Sequence, residues 1–444
     1  MVVLADLNVV HAAQLAQVHD DGGARRGANQ GEMHLIADGA VAIRGGVIVA
    51  VGTTEQVMAE WGDPSLETID AGGKTVVPGL VECHSHPIFA GERHAEYADR
   101  LGGASLAEVA ARGGGIWSSV VATRTASDDE LLARLAQAYR RIAAGGVTTL
   151  EVKSGYGLTV ASELHQLALL DASRSLTPLE LVVTFLGAHV VPRDMPGDAG
   201  AAADAYTELI VSEMLPAVVR QGLAAFQDVT VEDGLFTPTQ ALRLMAQSHA
   251  AGLPVRVHAD AWRTSQGWQT AVDGGAISAE HLTYTPDEEI NGVGATDTIA
   301  VVLPVAELIY MTDRRANARR FIDNDVPLAV ATDYCSSIHA TSLLATMGSA
   351  APWFRLTPGE VLVGTTLNAA YSLGLQQRCG SLDIGKRGDL LLLDCLHPNE
   401  IFLSAGAGML DDVVIGGVRQ SGVRQTADTK QLVKSRTAER NPST

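Results

Sequence analysis

From residue 78 to 379, short and mainly apolar runs alternate with longer stretches whose apolar residues recur every three or four positions. The runs predict buried strands near 80–84, 147–152, 180–186, 226–231, 254–258, 277–281, 299–303 and 327–332. A strand covered on both faces has no reason to alternate apolar with polar residues. The intervening stretches predict helices, as in "SDDELLARLAQAYRRIAAGG", which ends in a Gly-Gly stop. Eight strands, most followed by a helix, predict an α/β fold, a (β/α)8 TIM-type barrel with its active-site residues at the C-terminal ends of the strands. A doubly wound sheet would fit the alternation alone, but the histidine positions argue against it.

The flanks read differently. Residues 1–77 contain alternating runs such as "GAVAIRGGVIVAVG", split by Gly-Gly and Asp-Gly turn signals. That hairpin pattern returns only in "GSLDIGKRGDLLLLD" and "DDVVIGGVRQSGV". The two ends are expected to join in one small β-sandwich domain, 1–77 with 380–425, beside a barrel over 78–379. The segment 426–444 is polar without an apolar face, so it is expected to be mobile or ordered by a neighbouring subunit. There is no internal repeat at a solenoid period and no low-complexity tract.

Composition narrows the function. A chain of 444 residues, 46% hydrophobic, can bury a large core. Its 51 acidic and 32 basic residues give a formal charge of −19. That excludes nucleic acid and an anionic membrane surface as partners, while leaving room for a small anionic substrate held by a local cluster of donors. Cys83, Cys335, Cys379 and Cys395 are scattered without a CxxC, so a disulfide scaffold is not expected. No secretory signal opens the chain, and no apolar stretch approaches the ~20 residues of a membrane span. A cytoplasmic protein is expected.

The candidate chemistry begins in "GLVECHSHPIFAGER", where His84 and His86 end the first strand one residue apart. Side chains at i and i+2 of a strand share a face. Two imidazoles crowded in this way gain little from each other unless they share a metal ion. Taken singly, a strand-end histidine is usually structural. Here His258 ends the fifth strand, His281 the sixth, Asp333 follows the eighth and His189 follows the third. Barrel closure would bring these ends to one mouth, with a metal in reach of His84, His86, His258 and Asp333. Three histidines with a carboxylate suit zinc or iron, leaving room for water or substrate. A bound cation lowers the pKa of its water to about 7 and polarises a carbonyl oxygen. Hydrolysis of an amide-like bond follows, with Asp333 taking the water's proton and His281 steadying the tetrahedral oxyanion.

The segments "PGLVECHSHPIFAGER", "GGGIWSSVVATRTAS", "GVTTLEVKSGYGL", "TFLGAHVVP", "VRVHAD", "EHL", "AVATD" and "GSLDIGKRGDLLLLD" resemble the imidazolonepropionase family of the amidohydrolase superfamily. The likeness runs from about residue 35 to 420. HxH alone would give the superfamily; "HSHPIFAGER" with "EVKSGYGL" is specific to the family. The resemblance implies a homodimer that opens 4-imidazolone-5-propionate to N-formimidoyl-glutamate, with one zinc or iron (Fe2+ or Fe3+) per subunit held by His84, His86, His258 and Asp333. It also implies that Arg93 meets the substrate carboxylate, Tyr156 adds a hydroxyl and His189 contacts the carbonyl side of the ring. Binuclear relatives carry a carboxylated lysine at the end of the fourth strand; here that strand ends "VTVEDG", and Lys153 follows the second strand, where it could not play that part. One metal is therefore expected.

The departures cluster around the ring pocket. The family places Glu or Gln three residues after the fifth-strand histidine, where this chain has Ala261 and then Trp262. "DYCSSIHA" replaces a stretch close to Asn-Pro-Gly-Ser-Ser-Pro, "VVLPVAEL" replaces Leu-Leu-Pro-Gly, and Leu106 replaces a tyrosine. Loss of an acceptor for a ring N–H costs about 1–3 kcal/mol. Two substrates fit: the parent ring in a repacked pocket, or a methylthio- or N-methyl-substituted ring, with Ala261 making room and Trp262 or Leu106 adding apolar contact. A superfamily deaminase and a non-catalytic scaffold are the other classes. The "GER" arginine with the SGYG segment, and the complete ligand set, argue against each in turn.

Overall fold

The computed structural model describes residues 6–420 except 294, 295, 405 and 407; the segment 426–444 and the side chain of Leu106 lie outside what is described. Eight parallel strands form one sheet in sequential order: β1 (Leu80–Glu82), β2 (Val147–Lys153), β3 (Glu180–Ala188), β4 (Phe226–Val231), β5 (Val255–Ala259), β6 (Ser278–His281), β7 (Ile299–Val302) and β8 (Leu328–Val330). Just beyond β1 and β8 a parallel bridge joins Ser85 to Tyr334, with His86 N donating to Tyr334 O at 2.7 Å, and the ring of strands closes. All eight expected strands are present, with ends within two residues of those read from the apolar runs.

The absence of alternation has its reason in the packing. Val81, Cys83, Val182, Phe226, Ile299, Val301 and Ala329 fill the barrel, while Leu150, Val183, Val229, Val257 and Val302 face outward beneath the helices. The helix Asp128–Ala144 is typical of those helices. Ser127 accepts a hydrogen bond from Glu130 N at its start, and Leu131, Leu135, Ala138, Tyr139 and Ile142 form its buried stripe.

The second sheet draws strands from both chain ends. Thr75–Pro78 pairs in parallel with Leu7–Ala16 and antiparallel with Leu390–Leu393. Its hairpin, Leu35–Arg44 with Val47–Thr53, turns on Gly45 and Gly46, whose φ of 57° and 79° belong to the left-handed region that a two-residue hairpin requires. Only Gly79 separates Thr75–Pro78 from β1, so this sheet feeds directly into the strand that presents His84. Among the described residues no helix is long and apolar enough to cross a membrane.

Candidate metal centre and ring pocket

At the C-terminal mouth of the barrel four side chains point at one spot. The distances are 3.3 Å from His84 Nε2 to His86 Nε2 and 3.3 Å from His86 Nε2 to His258 Nε2. Asp333 Oδ1 lies 3.5 Å from His84 Nε2 and 3.6 Å from His86 Nε2. A tetrahedral ion with ligands at ~2.0–2.1 Å has ligand–ligand edges of about 3.3 Å, so these four spacings suit one. His84, His86 and Asp333 bring ligand atoms within 4.8 Å of one another, as His84 and His258 do with His281.

The hydrogen bonds behind them agree. His258 Nδ1 donates to Asp228 Oδ1 at 2.9 Å, and His84 Nδ1 donates to Glu280 Oε2. A carboxylate can only accept, so each ring keeps its other nitrogen for the shared spot. The electrostatics also call for a cation. Burial opposes charge on His84, yet Glu280 and Asp333 overrule it and push its pKa up to about 9. A metal ion entering near neutral pH therefore displaces a proton from His84. The residues fit the group.

Two of these side chains are aimed by unusual backbone. His281 (φ 78°) and Asp333 (φ 57°) stand in the left-handed region, a cost of order 1–3 kcal/mol concentrated at functional positions. The His281 ring lies 5.3 Å from both His84 and His258. Burial, reinforced by His258 and His84, lowers its pKa to about 3 against the pull of Asp333. Burial and His258 likewise lower His189 to about 4. Both rings are therefore neutral at every working pH, and a metal cation would push them the same way. Histidine ring NMR should find no titration of His189 or His281 between pH 5 and 9; a midpoint in that window would overturn the assignment.

A cavity of about 320 Å³ opens onto the centre and is lined by His86, Arg93, Tyr156, His189, His258, Ala261, Trp262, His281 and Asp333. Apart from the innermost ligand His84 and Leu106, whose side chain lies outside what is described, every candidate residue is thus on one wall or another. Arg93 enters at the N-cap of the helix His94–Leu101 and donates from Nε to Glu96 Oε2 at 2.8 Å. Glu96 Oε1 in turn accepts from Gly115 N and Ser118 Oγ, which fixes the "GGGIWSS" segment against the mouth. Tyr156 Oη lies 3.4 Å from Ser336 Oγ. His189 stacks on His86 with centroids 5.3 Å apart and donates from Nδ1 to Gly155 O at 3.0 Å. A Cβ on Gly155 would press to 3.0 Å from that same Nδ1, at φ +110°, so the glycine of "KSGYG" keeps the histidine in place.

The sequence reading missed several groups. Glu232, after β4, accepts backbone hydrogen bonds from Ala261, Trp262 and Arg263 at 2.7–3.1 Å, so it shapes the loop that carries the departures. Trp262 meets Tyr310 at 4.4 Å between centroids, and Tyr310 bonds Ser337 at 3.0 Å, making an aromatic wall. Lys153 is a further correction: it is the last residue of β2, fully buried, and bonded to Glu151, Asp228 and Glu280. The available signal was a pair of opposite charges, Glu151 and Lys153, on one face of a fully buried barrel strand.

Comparison with known proteins bears on the family and the fold. Residues 75–419 match the family model described as "Amidohydrolase family", and residues 39–63 match "Imidazolonepropionase-like composite domain, bacteria". An imidazolonepropionase from Symbiobacterium thermophilum is 41% identical over 420 residues, 93% of this chain and 96% of that protein. One from Alkaliphilus metalliredigens is 37% identical over 418 residues, 94% and 98% of the two chains. Among solved structures, an adenosine deaminase from Xanthomonas campestris with bound zinc superposes with a TM-score of 0.68 at 20% identity, covering 98% of this chain and 97% of its own. The last likeness speaks for the fold alone. The first two extend over both the barrel and the two-ended sheet, and on them the chain belongs to the imidazolonepropionase family of amidohydrolases.

Proposed function

We propose that this protein hydrolyses the cyclic amide of 4-imidazolone-5-propionate, yielding N-formimidoyl-glutamate. The observation that carries the reading is a single cavity holding His86, His258 and Asp333 together with Arg93 and His189. It joins an ion-spaced ligand set to a cation for a carboxylate and an acceptor for a ring N–H. A zinc or iron ion held by His84, His86, His258 and Asp333 would supply Lewis acidity, polarising the ring carbonyl and making water a stronger nucleophile near neutral pH. The second carboxylate oxygen of Asp333 takes the proton from the attacking water and returns it to the departing ring nitrogen. Neutral His281 donates one N–H to the oxygen that gains charge.

His189 takes a different part from the one its motif implies. Its Nδ1 proton is spent on Gly155 O, so Nε2 offers a lone pair to the substrate. That fits a ring N–H and not a carbonyl oxygen. It also supplies an acceptor where Ala261 has none, which removes the main argument for a substituted ring; relatives at 37–41% identity carry the parent activity in their names. Tyr156 adds its hydroxyl to the pocket, Ala261 leaves space, and Trp262 covers the ring. The cytoplasm suits four free, buried cysteines, and the family resemblance adds a homodimer.

The test is turnover of imidazolone-propionate, generated in place by urocanase under anaerobic conditions and followed by loss of ring absorbance. Rapid loss that a chelator abolishes, with about one metal per chain, supports the reading. A fully metallated protein that leaves the parent ring intact but opens a methylthio or N-methyl analogue overturns it. Arg93→Met should lower kcat/KM by about 10- to 150-fold, mainly through KM, because a charge-assisted bond is worth about 1.5–3 kcal/mol. Arg93→Lys should recover little, since it loses both the fork and the bond to Glu96. Steady-state kinetics on the two variants decides this; an unchanged KM would remove Arg93 from the carboxylate site.

A further inference from the structure

A second set of possible ligands lies directly behind the first. Asp228, His258 and Glu280 bring ligand atoms within 4.8 Å of one another, on strands β4, β5 and β6. Two carboxylates beside a histidine are a donor set that can hold a further ion. This one is already engaged. Lys153 Nζ stands 2.6 Å from Asp228 Oδ2, 3.2 Å from Glu280 Oε2 and 2.7 Å from Glu151 Oε1. Three N–H donors meet three carboxylates, and all four side chains are completely buried.

We propose that Lys153 is the fixed cation of this centre: its ammonium fills the place a second metal ion would take and keeps the site mononuclear. The inference rests on the metal reading of the four-ligand set. Two of the three carboxylates divide themselves between Lys153 and a ligand histidine. Asp228 gives Oδ1 to His258, and Glu280 gives Oε2 to His84 as well as to Lys153. Lys153, Asp228 and Glu280 stand on β2, β4 and β6, the alternate strands that share one layer of a barrel interior. One ammonium thereby holds both orienting carboxylates in their charged, proton-accepting form. Arg256 does not substitute for it, since that guanidinium reaches Glu151 and the other oxygen of Glu280, away from Asp228. Burial disfavours the ammonium, but Asp228, Glu151 and Glu280 overrule it and hold Lys153 protonated well above the ordinary lysine range.

The experiment is zinc titration of the metal-free full chain by equilibrium dialysis, with bound metal measured by mass spectrometry. Wild type and Lys153→Arg should each bind one ion per chain, and Lys153→Met should bind two. Two tightly held ions in wild type would overturn the proposal, as would Lys153→Met binding one with unchanged affinity, or none while still folded. Should Lys153→Met fail to fold without metal, it is refolded against a zinc series. Recovery of folded protein carrying two ions supports the proposal, and failure at every concentration overturns it. A wild type that binds no ion at all refutes the metal reading itself, which is a different result.

Discussion

Asp333→Asn should lower kcat by about 10²- to 10⁴-fold at saturating metal, the usual contribution of a general base. The substitution separates the two parts that this residue plays. An asparagine carbonyl can still face the ion, but it cannot take a proton from water or return one to nitrogen. Burial alone would raise the Asp333 carboxyl; the hydrogen bond from His84 and the charge on that ring outweigh it, so the group is an ionised acceptor at the pH of use. The backbone should not object. Asp333 stands at φ 57°, and asparagine enters the left-handed region as readily as aspartate does. The metal's own affinity should weaken with the lost charge, so activity, metal content and melting temperature are measured on the same preparation. A variant with full metal and more than a tenth of wild-type kcat would take the proton transfer away from Asp333.

The contrast between Asp333 and Lys153 shows what could be read from the chain. His84, His86, His258, His281 and Asp333 were legible because each ends an apolar run, and a barrel puts all such ends at one mouth. That argument needs only local pattern plus one closure rule. Lys153, Asp228, Glu280 and Arg256 lie inside the same runs, where a charge first reads as an interruption. Their meaning depends on which residues of different strands share a layer, and strand register is a non-local property. Ala261 was noticed as a loss, but its compensation by His189 depends on a hydrogen bond to Gly155 O, which no spacing announces. Glu232 escaped for a related reason: its partners are backbone N–H groups, which sequence leaves anonymous.

Arg256→Leu should be the most destabilising single change in the barrel, by about 3–5 kcal/mol, the cost of leaving buried charges without their partner. Arg256 is completely buried and donates to Ser372 O at 2.5 Å and Cys83 O at 2.7 Å. Its Nη2 pairs with Glu280 Oε1, and its Nε stands 3.2 Å from Glu151 Oε1. Leucine would fill much of the volume against Phe226 but strand two carbonyls and leave Lys153 alone among three carboxylates. At roughly 0.9 kcal/mol per degree for a chain of this length, that loss corresponds to a melting temperature lower by about 3–6 °C. Arg93→Met removes the same charge from a partly open pocket wall, where water replaces the lost partner, so its stability should change by less than about 1 kcal/mol. Guanidinium denaturation of the two variants beside wild type compares them directly. Equal midpoints would mean that the barrel interior tolerates the freed carboxylates by protonating them. Burial would then have lost the argument to titration, and the charged network behind the metal centre would be dispensable for folding.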